Sequence, residues 1–272
     1  MNSFAALTHA GTRGENQDVV GCDLDHQLWF VADGMGGHAR GQDASRLVKE
    51  TLLGEIGTMD LAAAVLKAHE VVRAATAQGG SEQRMGSTVV CAQIKAQACR
   101  IVWVGDSRAY LWRPPSLRRL TRDHSFVEAL LETEQLSETQ QRNHPNASVV
   151  LQTLGMGTPV PSENITTVRR GDWILLCSDG VVVELRDNEI ANILESSNNP
   201  HQAAQQLIDE VLKRGARDNT SVIVVQCDDC RAGLIDRLVS VNPVVVGWIA
   251  ALAGMALAAV VAIFAWHLRS GR

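Results

Sequence analysis

Short apolar runs and longer amphipathic ones follow each other along this chain. Residues 28–32, 88–94, 99–104, 173–177 and 220–226 are brief and rich in β-branched or large apolar side chains, as buried strands are. Two helical patterns stand between the early strands. Ala44, Leu47, Val48, Leu52 and Ile56 share one face of the first, and Leu61, Val65, Ala68, Val72 and Ala75 share one face of the second. A third helix is predicted from about Pro200 to Arg214. Asn199 is a suitable N-cap, Pro200 fits the first helical position, and Gly215 suits a left-handed stop. Strands gather toward both ends of the chain, and helices come in pairs rather than in strict alternation. That order favours an α+β layered sandwich over a doubly wound parallel sheet, with one domain over residues 1–228.

The pattern changes near the C-terminus. A polar linker, residues 229–243, leads to residues 244–266, which carry no charge. At about 1.5 Å per residue this segment reaches roughly 35 Å, enough to cross a hydrocarbon layer of about 30 Å with some tilt. Trp248 and Trp266 lie near its two ends, where an aromatic belt places them, and a short basic tail, 267–272, follows. One C-terminal transmembrane helix is therefore expected. Ala250, Gly254, Ala258 and Ala262 recur every fourth position, a stripe suited to a helix-mediated dimer. Residues 1–10 lack the basic and apolar regions of a secretory signal. The expected arrangement is a single-pass protein of an inner or plasma membrane with its domain on the cytoplasmic side.

Composition narrows the chemistry. An apolar fraction of 46% in 272 residues excludes a disordered chain. Lys and Arg number 25 against 30 Asp and Glu, a net charge of −5 with no long basic run, so nucleic acid is not an expected partner. The six cysteines are scattered, several of them within apolar runs, and read as buried thiols of a reducing compartment. Cys227 and Cys230 have paired spacing but no second pair to complete a zinc site.

The candidate chemistry lies in aspartates beside strands. Asp33, Asp106 and Asp179 each follow an apolar run and precede a small residue; Asp218 stands just before a strand, and Asp18 closes Asn16-Gln17-Asp18. One such residue is explained as a turn former. Five in one domain are harder to explain that way, because a carboxylate at the end of a buried strand is costly unless paired or metal-bound. Converging carboxylates without matching His or Cys suit the hard cations Mg²⁺ and Mn²⁺. Two such ions about 3.5–4 Å apart can share one carboxylate and activate a water. Gly34, after Asp33, can offer its carbonyl as a further ligand.

Seven stretches then make the chain recognisable: Arg13-Gly-Glu-Asn-Gln-Asp18, Val31-Ala-Asp-Gly-Met-Gly-Gly-His38, Gly86-Ser-Thr88, Gly105-Asp-Ser-Arg108, Leu120-Thr-Arg-Asp-His-Ser125, Cys177-Ser-Asp-Gly180 and Arg217-Asp-Asn219. In this order and spacing the sequence resembles the PP2C-type (PPM) metal-dependent serine/threonine protein phosphatases, in particular their compact bacterial members. The resemblance implies a four-layer αββα sandwich of two mostly antiparallel sheets flanked by helices. It implies that Asp33 bridges two metals, that Asp179 and Asp218 hold the first, and that Asp18 and the Gly34 carbonyl hold the second. Asp106, with Asp179, would hold a third and weaker one. Arg13 would grip the substrate phosphate, for which its planar fork is suited. The partners implied are phosphorylated Ser/Thr proteins and a cognate kinase. Some members carry a His directly after the Asp-Gly pair; here that position is Met35, and His38 is the candidate proton donor. His124 and Ser125 are expected to shape the edge of the site, and residues 123–150 to form a variable flap.

Other features carry less. The glycines of 34–41 lack the phosphate-loop pattern, and neither Ser107 nor Ser178 sits in a nucleophile elbow. His9, His26, His69, His144 and His201 read as surface or loop residues. An alternative reading keeps the fold as a catalytically weak phosphoprotein-binding regulator; the complete carboxylate set favours the enzyme.

Overall fold

The computed structural model describes residues 2–37, 40–79, 84–131, 137–142 and 144–228. The described residues all belong to the first of the chain's two units, Met1–Cys230. His38, Cys230, the linker, the expected membrane helix with its small-residue stripe and the basic tail all lie outside the described residues. Among the described residues no helix is long and apolar enough to cross a membrane.

Two sheets form the centre of the first unit. One has five strands in the order β1(Ser3–His9), β11(Thr220–Gln226), β10(Trp173–Cys177), β7(Arg108–Arg113), β8(Ser116–Arg119). The other runs β2(Asp18–Asp23), β3(Leu28–Gly36), β5(Val89–Lys95), β6(Ala98–Val104), β9(Ser162–Thr167), with β4(Met85–Ser87) paired to the end of β3. All these pairings are antiparallel.

The period of two along a strand sorts side chains into separate cores. In β3, Trp29 and Val31 point between the sheets, while Leu28, Phe30 and Ala32 point outward beneath α1(Arg40–Glu55) and α2(Leu61–Gly79). Between β8 and β9 lie two short helices, α3(Phe126–Leu130) and α4(Glu138–Arg142). In β11, Ile223 and Val225 join the inter-sheet core, while Val222 and Val224 pack beneath α5(Asp179–Glu184), α6(Asp187–Ser196) and α7(Pro200–Lys213). Strands buried on both faces explain why these runs are continuously apolar. The result is helices, sheet, sheet, helices, as expected.

The helix caps are as predicted for α7: Asn199 accepts from the Gln202 N–H at 2.9 Å, and Gly215 has φ +107°. Cys91, Cys99, Cys177 and Cys227 are buried as expected, whereas Cys22, on the edge strand β2, is only half-buried. Two expectations need correction. The apolar run ending at residue 32 is only part of a strand that continues to Gly36, because Gly34 pairs with Ser87 of β4. His69 is not a surface residue; it is 5% exposed. It lies four residues after Val65 and three before Val72, so it falls on the buried stripe of α2.

Candidate active site

Both sheets contribute to one acidic cluster. Asp18 opens β2 and lies opposite Asp33 of β3 in register, which puts their β-carbons about 5 Å apart on one face. Asp179 is the first residue of α5, two residues after the end of β10, and Asp218 stands two residues before β11. Asp106 sits in the turn between β6 and β7, the connection that passes from one sheet to the other. All five predicted carboxylates are thus brought together. Burial, and after it the charges of Asp18, Asp179, Asp106 and Asp218, holds the Asp33 carboxyl well above the usual carboxylate range. Asp18 is raised to about 7, chiefly by burial, although hydrogen bonds from Ser178 and Ser221 oppose the shift. Asp106 is raised to about 8, by burial and then by Asp179 and Asp123. Asp179 is raised to about 6, by burial and then by Asp218, while a hydrogen bond with Asp33 pulls it back.

These residues fit a divalent cation. The Oδ1 atom of Asp18, a residue 4% exposed, is buried with no hydrogen-bond partner. Such an orphaned oxygen is costly in a protein interior and is satisfied by a cation. Its other oxygen accepts from the Ser178 hydroxyl at 2.8 Å. Hard oxygen donors with repelling charges are the donor set that Mg²⁺ and Mn²⁺ take. Among the described residues no three acidic, histidine or cysteine side chains already form a closed ligand cage. Gly34 cannot carry a side chain: a β-carbon there would lie 1.9 Å from the Gly41 carbonyl oxygen. Its N–H donates to the Gln17 carbonyl at 3.0 Å, tying β3 to the residue before Asp18.

Arg13 stands beside the cluster. Its guanidinium donates to Asp218 Oδ2 at 2.9 Å, yet its side chain is 60% exposed. A cation held at a carboxylate cluster and open to solvent is placed to meet an incoming anion.

Several residues with parts in the site were not assigned by sequence reasoning. Asn219 is one: its Nδ2 donates to the Ala10 and Glu15 carbonyls at 2.9 Å each, and its Oδ1 accepts from the Gln17 N–H at 2.8 Å. It therefore clamps both ends of the loop that carries Arg13. Its place in Arg217-Asp218-Asn219 was the available signal. Ser178 is another; its Oγ donates to Asp18 and accepts from the Ser221 N–H at 3.0 Å. A third group is Ser87 and Thr88. The Thr88 N–H donates to the Asp33 carbonyl at 2.8 Å, and the Ser87 hydroxyl divides its one proton between that oxygen, at 3.0 Å, and the Thr88 carbonyl, at 2.7 Å.

His124 braces the turn that holds Asp106. Its Nδ1 accepts from the Gly105 N–H at 3.2 Å, which leaves the proton on Nε2, 2.9 Å from Ser162 Oγ. Ser125 caps α3(Phe126–Leu130), accepting from the Glu128 N–H at 3.3 Å. The base of the flap is pinned there: the Phe126 N–H donates to Val149, and the Leu151 N–H donates to His124.

The profile of the family described as Protein phosphatase 2C matches residues 7–221. The serine/threonine protein phosphatase PstP of Mycobacterium tuberculosis is 31% identical over 237 residues, covering 83% of this chain; the chain spans 45% of that protein's length. The serine/threonine phosphatase stp of Listeria monocytogenes is 32% identical over 239 residues, covering 81% of this chain and 94% of its own length. A crystal structure of the PstP catalytic domain in complex with two manganese ions superposes with a TM-score of 0.75 at 29% identity, covering 84% of this chain and 99% of that one. With the profile spanning most of its length and such relatives beside it, the chain belongs to the protein phosphatase 2C family.

Proposed function

We propose that the chain hydrolyses phosphoserine and phosphothreonine in proteins, with Mn²⁺ or Mg²⁺ as its cofactor, and opposes a Ser/Thr kinase. The observation that carries this reading is the position of Asp33, with four other carboxylates around it and the exposed Arg13 guanidinium at the edge. Asp33 would be shared between two ions, with Asp179 and Asp218 on one and Asp18 and the Gly34 carbonyl on the other. Asp106 and Asp179 would serve a third. When bound, the ions supply positive charge against the phosphoryl oxygens and lower the pKa of a water.

The chain's own residues do the rest. Arg13 offers a planar fork to the phosphate and is drawn to the cluster by Asp218. Asn219 holds the loop that aims it. Ser178 fixes one oxygen of Asp18 and leaves the other, buried and without a hydrogen-bond partner, for a cation. The Thr88 N–H and the Ser87 hydroxyl hold the backbone of Asp33 rigid, as a preorganised site requires. The departing seryl or threonyl oxygen needs a proton, and His38 is the proposed donor. No covalent phospho-enzyme is required, so the buried cysteines have no nucleophilic part.

The test is phosphate release from a phosphothreonine peptide by the purified full chain. Release is expected with Mn²⁺ and not with chelator. A folded, manganese-loaded protein that binds the peptide without releasing phosphate would instead support the non-catalytic binding reading.

We also propose that residues 244–266 anchor the protein in a cytoplasmic or inner membrane, with the phosphatase unit on the cytoplasmic face. Support comes from their charge-free sequence and the tryptophans near each end. Deleting residues 241–272 is expected to move the protein from the membrane to the soluble fraction. Full-length protein found in the soluble fraction would defeat the anchor, and with it a helix-mediated dimer through the small-residue stripe.

A further inference from the structure

The flap's return stem is fastened to a helix that takes no direct part in the acidic cluster. The Gly155 N–H donates to His69 Nδ1 of α2 at 3.0 Å, a buried hydrogen bond between residues 86 apart in sequence. Gly155 has φ +87°, and a β-carbon there would lie 2.4 Å from Val72 Cγ1, so the stem lies directly on α2. The neighbouring residue continues the path. Leu154 exchanges two backbone hydrogen bonds with Ser87 of β4, at 2.8 and 3.1 Å. Ser87 in turn lies opposite Gly34 in register, and its hydroxyl stands 3.0 Å from the Asp33 carbonyl and 2.7 Å from that of Thr88, whose own N–H donates to Asp33 at 2.8 Å. Leu154 itself is fully buried in the core beneath α1 and α2.

The path therefore runs from His69 to Gly155, Leu154, Ser87 and Asp33. An imidazole that accepts at Nδ1 is neutral and carries its proton on Nε2. Burial favours that form and lowers the His69 pKa; the nearby Glu70 raises it and Arg73 lowers it further.

We propose that His69 is a positioning residue: by accepting the Gly155 N–H it fixes the flap's return stem on β4 and so holds the backbone of Asp33 and Gly34 in place for catalysis. This rests on the phosphatase reading above only for its kinetic consequence; the clamp itself is a property of the fold. The essential feature is an acceptor two bonds beyond the β-carbon. Asparagine offers one in Oδ1, and leucine and alanine do not.

The experiment uses the full chain and two measurements. The first, made without metal, is amide hydrogen exchange at Gly155. His69→Leu, and His69→Ala should the larger variant fail to fold, are expected to speed exchange about tenfold, while His69→Asn keeps the protection. The second is phosphate release from a phosphothreonine peptide with Mn²⁺. There kcat in His69→Leu is expected to fall about 10- to 100-fold, the range for outer residues that orient a metal site. His69→Asn is expected to stay within a few-fold of the parent. Unchanged Gly155 exchange in both leucine and alanine variants overturns the proposal. So does faster exchange with undiminished kcat, or an asparagine variant as impaired as the leucine one. A parent chain that releases no phosphate counts against the phosphatase reading alone, and Gly155 exchange then still decides for or against the clamp.

Discussion

Asp33→Asn is expected to reduce phosphate release from a phosphothreonine peptide by on the order of 10³-fold, the loss that follows when several kcal/mol of charge stabilisation is removed. The fold should survive. What holds β3 at this point is backbone: the Asp33 carbonyl accepts from the Thr88 N–H and the Ser87 hydroxyl, and neither bond involves the carboxyl. An amide can also keep a hydrogen bond to Asp179. Burial already favours the neutral Asp33 carboxyl in the metal-free fold, so an amide there should leave the chelator-treated protein melting at the same temperature as the parent or higher. The measurement is therefore a pair, peptide kinetics with Mn²⁺ and thermal melting with chelator. Parental turnover in the variant would refute the metal assignment of Asp33. Collapse of the melt would show instead that the carboxyl is needed to fold.

The second large effect concerns pH. In the metal-free fold Asp179, Asp18 and Asp106 are raised from 3.8 to about 6, 7 and 8, and Asp33 is raised too. The folded chain then binds protons that the unfolded chain has already lost. Stability from this source is complete below the unfolded value and drains away as pH rises through the folded ones. The metal-free melting temperature should thus fall between pH 5.5 and 8.5, by on the order of 10 °C for one net proton in a domain of this size. A divalent ion binds the deprotonated cluster, so its stabilisation should grow over the same range. The check is a set of melts with Mn²⁺ and with chelator at each pH. The gap is expected to widen steadily toward pH 8.5, and Asp33→Asn to flatten the dependence. A gap independent of pH would mean that the carboxylates do not share a site.

Much of this architecture can be read from the amino-acid order. Residues 173–177 and 220–226 are apolar throughout because both faces of β10 and β11 are covered, one by the opposite sheet and one by helices. The stripes of α1 and α2 have the helical period because each helix covers a sheet with one face only. Strands without that burial are silent. β9, Ser-Glu-Asn-Ile-Thr-Thr, alternates between half-buried and exposed positions and lies at the edge of its sheet. β2 contains Asp18, Gly21 and Asp23 and is also an edge. Both are held by backbone ladders to a neighbour, and a ladder leaves no mark on composition.

The aspartates of the site were legible because each stands against an apolar run or in a motif of the family, so their chemistry is visible locally. The parts of Asn219, Ser178 and His69 were not. Their partners lie 204, 160 and 86 residues away in the chain. A polar side chain satisfied across such a span looks, in one dimension, like any exposed polar residue, and His69 reads as a surface residue for that reason. By itself the sequence determined the layers, the identities of the clustered aspartates and the guanidinium that accompanies them, since burial patterns and residue chemistry are local properties. Tertiary structure alone decided which carboxylates face one another and which distant hydrogen bonds hold them there. Register and chain crossing set those distances, and no short stretch of residues contains them.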